Sequence, residues 1–239
     1  MKYMGSKRRI SKDLVNIINE FIKKNNIIEY TEPFVGGANV IDKVNCKYKK
    51  GYDNNKYLIA MFNALNKGYQ PPENITKEFY YEVKENKDKF SEELVSIVGF
   101  CASYNAKWFG GYAPLTITKN GNVRNYYSES IRNLMKQKEQ LKDVLFIAED
   151  YRNIKNLENN LIYCDPPYKG TTQYGYDKNF NSDEFWKWVR EKSKNNIVLV
   201  SEYNAPDDFE CIYEKQLTTT LDKNSRKKDT EKLFIIKNK

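Results

Sequence analysis

Four short apolar runs, residues 27–34, 144–150, 160–168 and 195–203, and a weaker strand at 47–53 alternate with segments whose apolar residues recur at helical spacing. Strands that alternate with helices build parallel sheets, because a parallel neighbour is reached only through a crossover, normally a helix. In residues 11–24, Leu14, Ile17, Ile18, Phe21 and Ile22 fall on one helical face behind a Ser11 cap. The run IIEYTEPF breaks at Pro33 and enters VGGANVIDKV, which reads as strand, glycine turn, helix. Residues 54–68 read as a helix that stops at Gly68, ahead of Pro71 and Pro72. Further helices are expected at 76–88, 91–104, 126–142 and 182–194. Near the end, FECIYEKQL and EKLFIIK form an expected antiparallel hairpin. The pattern predicts an α/β fold, an open and mostly parallel sheet with one reversed strand near its edge. Residues 69–142 interrupt the alternation, and the stretch 108–127 mixes aromatic, glycine and basic residues without a period. They are read as an insertion into a main domain of residues 1–68 and 143–239.

Composition narrows the chemistry. None of the 239 residues is histidine, which removes Ser-His-Asp and Cys-His pairs and every zinc site that needs His. Cys46, Cys101, Cys164 and Cys211 are widely spaced without a CxxC pair, so neither a zinc ribbon nor a disulfide framework is signalled. Lys and Arg number 40 against 32 Asp and Glu, a net charge of +8, which suits a polyanionic partner. Lysine-rich surfaces of AT-rich genomes give the same balance. The N-terminal MKYMGSKRR is basic but no apolar stretch follows it, and no run approaches the ~18 apolar residues of a membrane span. The expectation is a cytoplasmic protein with reduced thiols, neither exported nor membrane-bound.

Three places could carry chemistry. The first is Glu32-Pro33-Phe34-Val35-Gly36-Gly37, where the first strand meets its turn and paired glycines let backbone approach a ligand closely. Taken alone it also reads as a tight turn, and the GxGxxG spacing of dinucleotide binders is missing. The second is Asp53, which ends the second strand roughly twenty residues beyond that turn, where a carboxylate can accept ribose hydroxyls. A helix cap is the alternative there. The third and strongest is Asp165-Pro166-Pro167-Tyr168, at the end of an apolar strand. Two prolines remove two N–H donors, leaving the Asp165 carboxylate and the Pro166 carbonyl as acceptors for an exocyclic amine. Tyr168 offers a ring on which a base can stack, and an amine so clamped is oriented toward a methyl donor.

These residues carry a resemblance. The chain resembles the Dam-type adenine-specific DNA methyltransferases: KYMGSK (2–7) is similar to their N-terminal KWxGGK element, EPFVGGANV to their EPFxGxG loop, GYDNN (51–55) to their acidic motif and YCDPPY to their catalytic motif. The tail's VSEYNAP and EKLFI resemble phage-type members. The resemblance implies a Rossmann-like, seven-stranded sheet and transfer of a methyl group from S-adenosylmethionine to the adenine amino group. It implies cofactor contacts from Tyr3, Gly5 and Lys7, from Glu32, Pro33, Phe34, Gly36 and Gly37, from Asp53 and Asn54, and from Asp165. Catalysis would fall to Asp165, Pro166, Pro167 and Tyr168. Tyr3 stands in place of the usual Trp and Ser6 in place of a usual Gly.

Such a reaction needs no histidine, but the target base must leave the stack of duplex DNA. The resemblance places target recognition in the insertion, where Lys107, Trp108, Tyr112, Lys119, Arg124 and Asn125, with Phe109, combine phosphate-seeking charges with aromatic and amide groups. Trp108 and Phe109 read equally as anchors of a long loop, and Lys223, Arg226, Lys227 and Lys228 as solvated loop charges. Phe185, Trp186, Trp188 and Val189 read as core. A monomer is expected. Cytosine, RNA or a protein amide is the alternative acceptor, and a catalytically inactive DNA-binding relative is the alternative from another class.

Overall fold

The computed structural model describes residues 1–3, 5–118, 120–168, 180–218 and 228–237. In chain order its main elements are α1 (Ser11–Lys24), β1 (Glu29–Glu32), β2 (Tyr48–Asp53), α2 (Lys56–Asn66), α3 (Lys77–Glu85), α4 (Glu92–Ser96), β3 (Thr116–Ile117), β4 (Val123–Arg124), α5 (Tyr126–Leu141), β5 (Val144–Ala148), β6 (Asn160–Cys164), α6 (Ser182–Lys192), β7 (Ile197–Glu202), β8 (Phe209–Thr218) and β9 (Lys228–Ile236). Seven of the strands form one sheet in the order β5-β2-β1-β6-β7-β9-β8. β5, β2, β1, β6 and β7 run parallel, and β9 is antiparallel to both β7 and β8. The order starts at β1, goes outward through β2 and β5, then returns to β6 on the other side. That reversal leaves a crevice above the carboxyl ends of β1 and β6, where ligands settle in open α/β sheets.

β6 and β7 are largely apolar because both faces of the sheet are covered there: all five residues of β6 are buried. Leu161 and Tyr163 join Tyr30, Leu199 and Leu233 under α1 and α2. Ile162 and Cys164, of opposite phase, join Val198 and Val200 under Phe185, Trp186 and Val189 of α6. The aromatic stripe of α6 is therefore core, as read from its spacing. Side-chain caps fix where the helices start. Asn55 accepts from the Leu58 N–H of α2, Thr76 from the Phe79 N–H of α3, Asn125 from the Ser128 N–H of α5, and Asn181 from the Asp183 and Glu184 N–H groups of α6. At α1 the expectation is corrected. Ile10 is the N-cap, and Ser11 lies inside the helix with its hydroxyl donating to the Arg8 carbonyl.

A second correction concerns residues 35–44. The segment after the first strand is a series of turns, not a helix. Gly36 and Ala38 both adopt positive φ, +46° and +53°, which interrupts a right-handed helix at its first turn. Val35, Ala38, Val40, Ile41 and Val44 are all buried, so packing holds a path whose backbone bonds are single turns, Ala38 N–H to Val35 and Lys43 N–H to Val40. The helix expected to begin at this turn is therefore absent.

Segment 69–142 packs into the same core. α4 runs on through a π-helical turn at Ile97–Cys101, five buried residues packed beside α3, α4 and α5. β3 and β4 form a two-stranded hairpin with Ile117 and Val123 exposed. Among the described residues no helix is long and apolar enough to cross a membrane.

Candidate active site at the carboxyl ends of the sheet

β6 ends at Cys164, and the next residue, Asp165, meets the N-terminal segment. The Lys7 ammonium lies 3.0 Å from Asp165 Oδ1 and 3.3 Å from a carboxylate oxygen of Glu231 on β9. The Tyr168 hydroxyl donates to the same Glu231 oxygen at 2.8 Å, and Lys7 sits 4.2 Å from the Tyr168 ring centroid. Tyr203, beyond β7, packs edge-on against that ring at 4.6 Å. One cation, two carboxylates and a phenol are thus clustered, with Lys7 only 8% exposed and Asp165 20%.

The electrostatics follow from that enclosure. Burial works against the Lys7 ammonium, but Asp165 and Glu231 outweigh it and hold its pKa above the ordinary lysine value. Burial lifts the Asp165 carboxyl above the usual range, with Lys7 pulling the other way and the Glu231 charge adding to the rise. Tyr168 is pushed well up by burial and by the two carboxylates, so it stays a phenol and a hydrogen-bond donor. Beside them Glu32, at the end of β1, is fully enclosed. Its carboxyl is raised well above normal by burial, although the Tyr30 hydroxyl donates to it at 2.7 Å.

The glycine turn lies beside Glu32. Asp53 spans it: one carboxylate oxygen accepts the Gly36 N–H at 3.0 Å and the other the Asn55 N–H at 2.9 Å. Asp53 thus joins the turn to the end of β2. Gly37 is glycine because the N-terminal segment crosses it. A Cβ there would lie 2.6 Å from both Tyr3 Cβ and Asn39 Nδ2. The close approach expected of a ligand is thus taken at Gly37 by Tyr3, whose ring also packs on Phe100 at 5.5 Å. Gln137 of α5 braces the turn from beneath, its amide donating to the Gly37 and Ala38 carbonyls and to Asp42.

The structure brings Lys7, Asp165, Pro166, Pro167 and Tyr168 together, with Glu32, Pro33, Gly36, Gly37 and Asp53 at the neighbouring strand ends. Gly5, at φ +80°, turns the chain into the short helix that carries Lys7, and Asn54 is exposed next to Asp53. Phe34 points into the α6 side of the core, against Tyr151 and Phe185. Tyr168 is buried and ringed by Lys7, Tyr203 and Glu231, so its ring is not an open platform.

The insertion residues do not form one cluster. Trp108 packs on Phe100, on Tyr57 and across Gly99, where a Cβ would fall 2.7 Å from its ring, and Phe109 is buried. The Tyr112 hydroxyl donates to the Ile75 carbonyl. These three fill the base of the loop. Asn125 caps α5, while Arg124 forms a two-bond pair with Glu129 and stacks over Tyr126. Lys107 is exposed. Lys119, Lys223, Arg226 and Lys227 lie outside the described residues, as does the Lys228 side chain.

Sequence reasoning missed Glu231 and Gln137. Glu231 shares a strand face with Leu233 and Ile235, and Gln137 continues the stripe Tyr127, Ser130, Leu134 and Leu141. A polar residue in the buried phase of an apolar pattern was the available signal.

Comparison with known proteins fits this arrangement. A curated relative, the Type II methyltransferase M.MjaIII of Methanocaldococcus jannaschii, is 27% identical over 90% of this chain and 87% of its own length. Two solved structures are more distant. A Clostridium thermocellum chain assigned as an rRNA methylase has 8% identity and a TM-score of 0.38, covering 93% of this chain and 96% of its own. SMU.472, assigned as a methyltransferase and complexed with SAH, has 11% identity and a TM-score of 0.34, covering 98% of this chain and 55% of its own. Neither is close enough to bear on function. The family model for D12 class N6 adenine-specific DNA methyltransferases, however, matches residues 3–228, and the chain belongs to that family.

Proposed function

We propose that this chain methylates, at a particular DNA sequence, the N6 amino group of an adenine swung out of the duplex, acting as a monomer in the cytoplasm. The observation that carries the reading is the meeting of Asp165 and its two prolines with Lys7 at the end of β6, beside the glycine turn and Asp53. The methyl donor of the family is S-adenosylmethionine, which supplies a sulfonium-activated methyl group. Asp53 and Asp165, acidic residues at the ends of β2 and β6, fit a ligand that brings positive charge into the crevice. In this reading the glycine turn, with Pro33, holds the methionine end of the donor, Asp53 and Asn54 hold its ribose, and Tyr3, Gly5 and Lys7 close over it.

Asp165 and the Pro166 carbonyl each accept one N–H of the adenine amine. Its lone pair is delocalised into the ring, and two acceptors draw electron density back onto the nitrogen while aiming it. Pro166 and Pro167 have no N–H to compete for either acceptor. A paired, stacked base cannot reach this turn, so the base leaves the duplex at a cost of a few kcal/mol. Phosphates along the duplex are met by Lys107, Lys119 and Arg124. What supports that assignment is the position of Arg124 on the exposed hairpin strand β4 and the exposure of Lys107.

The Asp165→Ala variant tests the reading. Methyl transfer should fall by at least about 10²-fold while DNA binding survives. Retention of most methylation activity in that variant contradicts the assignment.

A further inference from the structure

We propose that Glu231 is a positioning residue for methyl transfer: its carboxylate holds the Lys7 ammonium and the Tyr168 hydroxyl, so that Asp165 can turn to the adenine amine. The inference rests on the function proposed above and concerns a residue of β9, more than sixty positions from the Asp-Pro-Pro-Tyr turn.

Lys7 already donates to Asp165 Oδ1, an acceptor that the incoming amine also needs. If Asp165 were its sole counter-charge, the ammonium would be held only by the carboxylate that must also orient the amine, and its pull would set where that carboxylate points. Glu231 removes that conflict. At 3.3 Å it keeps Lys7 paired, and an ammonium has three N–H donors to share between two carboxylates. The same Glu231 oxygen accepts the Tyr168 hydroxyl, which fixes the rotation of a ring that Lys7 and Tyr203 already contact.

A purely structural role, in which Glu231 only neutralises Lys7, affects folding and leaves the plateau kcat unchanged, whereas positioning lowers it. The Glu231 charge also bears on the protonation of Asp165. That group faces Lys7 from the N-terminal segment, Glu231 from β9, Glu32 from β1, Tyr168 from its own turn, and Tyr163 and Cys164 from β6. Among these Glu231 is a second negative charge beside Asp165, and it favours the protonated, inactive form.

The experiment follows methyl incorporation from labelled S-adenosylmethionine into several-kilobase unmethylated duplex DNA, as kcat and as cofactor KM, across pH. It uses wild-type protein, Glu231→Gln and Tyr168→Phe. Glu231→Gln keeps an acceptor for Tyr168 but removes the charge. We expect kcat about tenfold lower, cofactor KM changed by less than about threefold, and the acid limb of the pH profile moved to lower pH. The double variant should be scarcely slower than the more affected single one, because both remove parts of one network. A Glu231→Gln protein that melts earlier but keeps wild-type kcat and acid limb overturns the inference. Should that variant not fold, Tyr168→Phe decides: a several-fold fall in kcat at unchanged cofactor KM supports positioning, and an unchanged kcat overturns it. If the wild-type protein itself methylates no adenine, the proposed function fails instead.

Discussion

Asp165 and Arg124 are both charged, and both are placed at the end of a strand. Asp165 sits behind two prolines, pinned by a lysine that is 8% exposed and is itself shared with Glu231. Arg124 sits on a two-residue strand, 42% exposed, with one carboxylate partner on the adjacent helix turn. The first is over-determined by elements from both ends of the chain and the second by a local pair. Rigidity is therefore concentrated where a reacting nitrogen must be aimed to within a fraction of an ångström. It is lower at the hairpin, which the proposed function sets against the duplex. The hairpin also leaves Leu115, Ile117 and Val123 exposed, whereas Tyr163, Cys164 and Tyr168 beside Asp165 are buried.

Substitutions that strip each site of its counter-charge should break the two regions very differently. Lys7→Met leaves Asp165 and Glu231 facing each other without a cation. We expect a loss of about 3 kcal/mol, a melting temperature lower by about 6–12 °C, and methylation abolished. A melt within 2 °C of wild type, on the order of experimental scatter, would show that the cluster is not held by charge. Arg124→Ala should leave the melt almost unchanged. DNA affinity should weaken evenly across sequences, with the slope of log affinity against log salt smaller by about one. An unaltered slope would remove Arg124 from the phosphate contacts. The smallest effect belongs to Glu129, whose carboxyl is held down to about 2 by the Arg124 guanidinium, with Lys2 assisting. A depressed folded-state pKa stabilises above the unfolded value, and that contribution disappears as pH falls from about 4.5 toward 2. Glu129→Gln should therefore lower the melting temperature at pH 7 by no more than about 2 °C, and by less still near pH 2. An undiminished difference at low pH would contradict the pairing.

The same contrast explains what could be read from sequence. The main strands, the reversed strand near the edge and the proline turn after β6 are local signals, and the structure has them where the sequence put them, whereas the helix expected after β1 is absent. Contacts between distant elements leave no such trace. Nothing near Glu231 names Lys7, and nothing near Gln137 names the glycine turn, although their polar side chains interrupt apolar stripes. The turn itself misled, because VGGANVIDKV has the composition of a helix start. Its positive-φ residues and buried valines hold an irregular path instead. In the insertion, aromatic residues next to basic ones suggested contact with DNA, but Trp108, Phe109 and Tyr112 are packed at the base of the loop. Sequence marks an aromatic residue without saying which way it faces.

The most direct test of the account is the identity of the product. Purified protein, S-adenosylmethionine and unmethylated duplex DNA are incubated together, and the DNA is digested to nucleosides for mass spectrometry. The account predicts N6-methyldeoxyadenosine as the modified nucleoside. A product methylated on cytosine, or no methylated nucleoside from a protein that binds the cofactor, would contradict it.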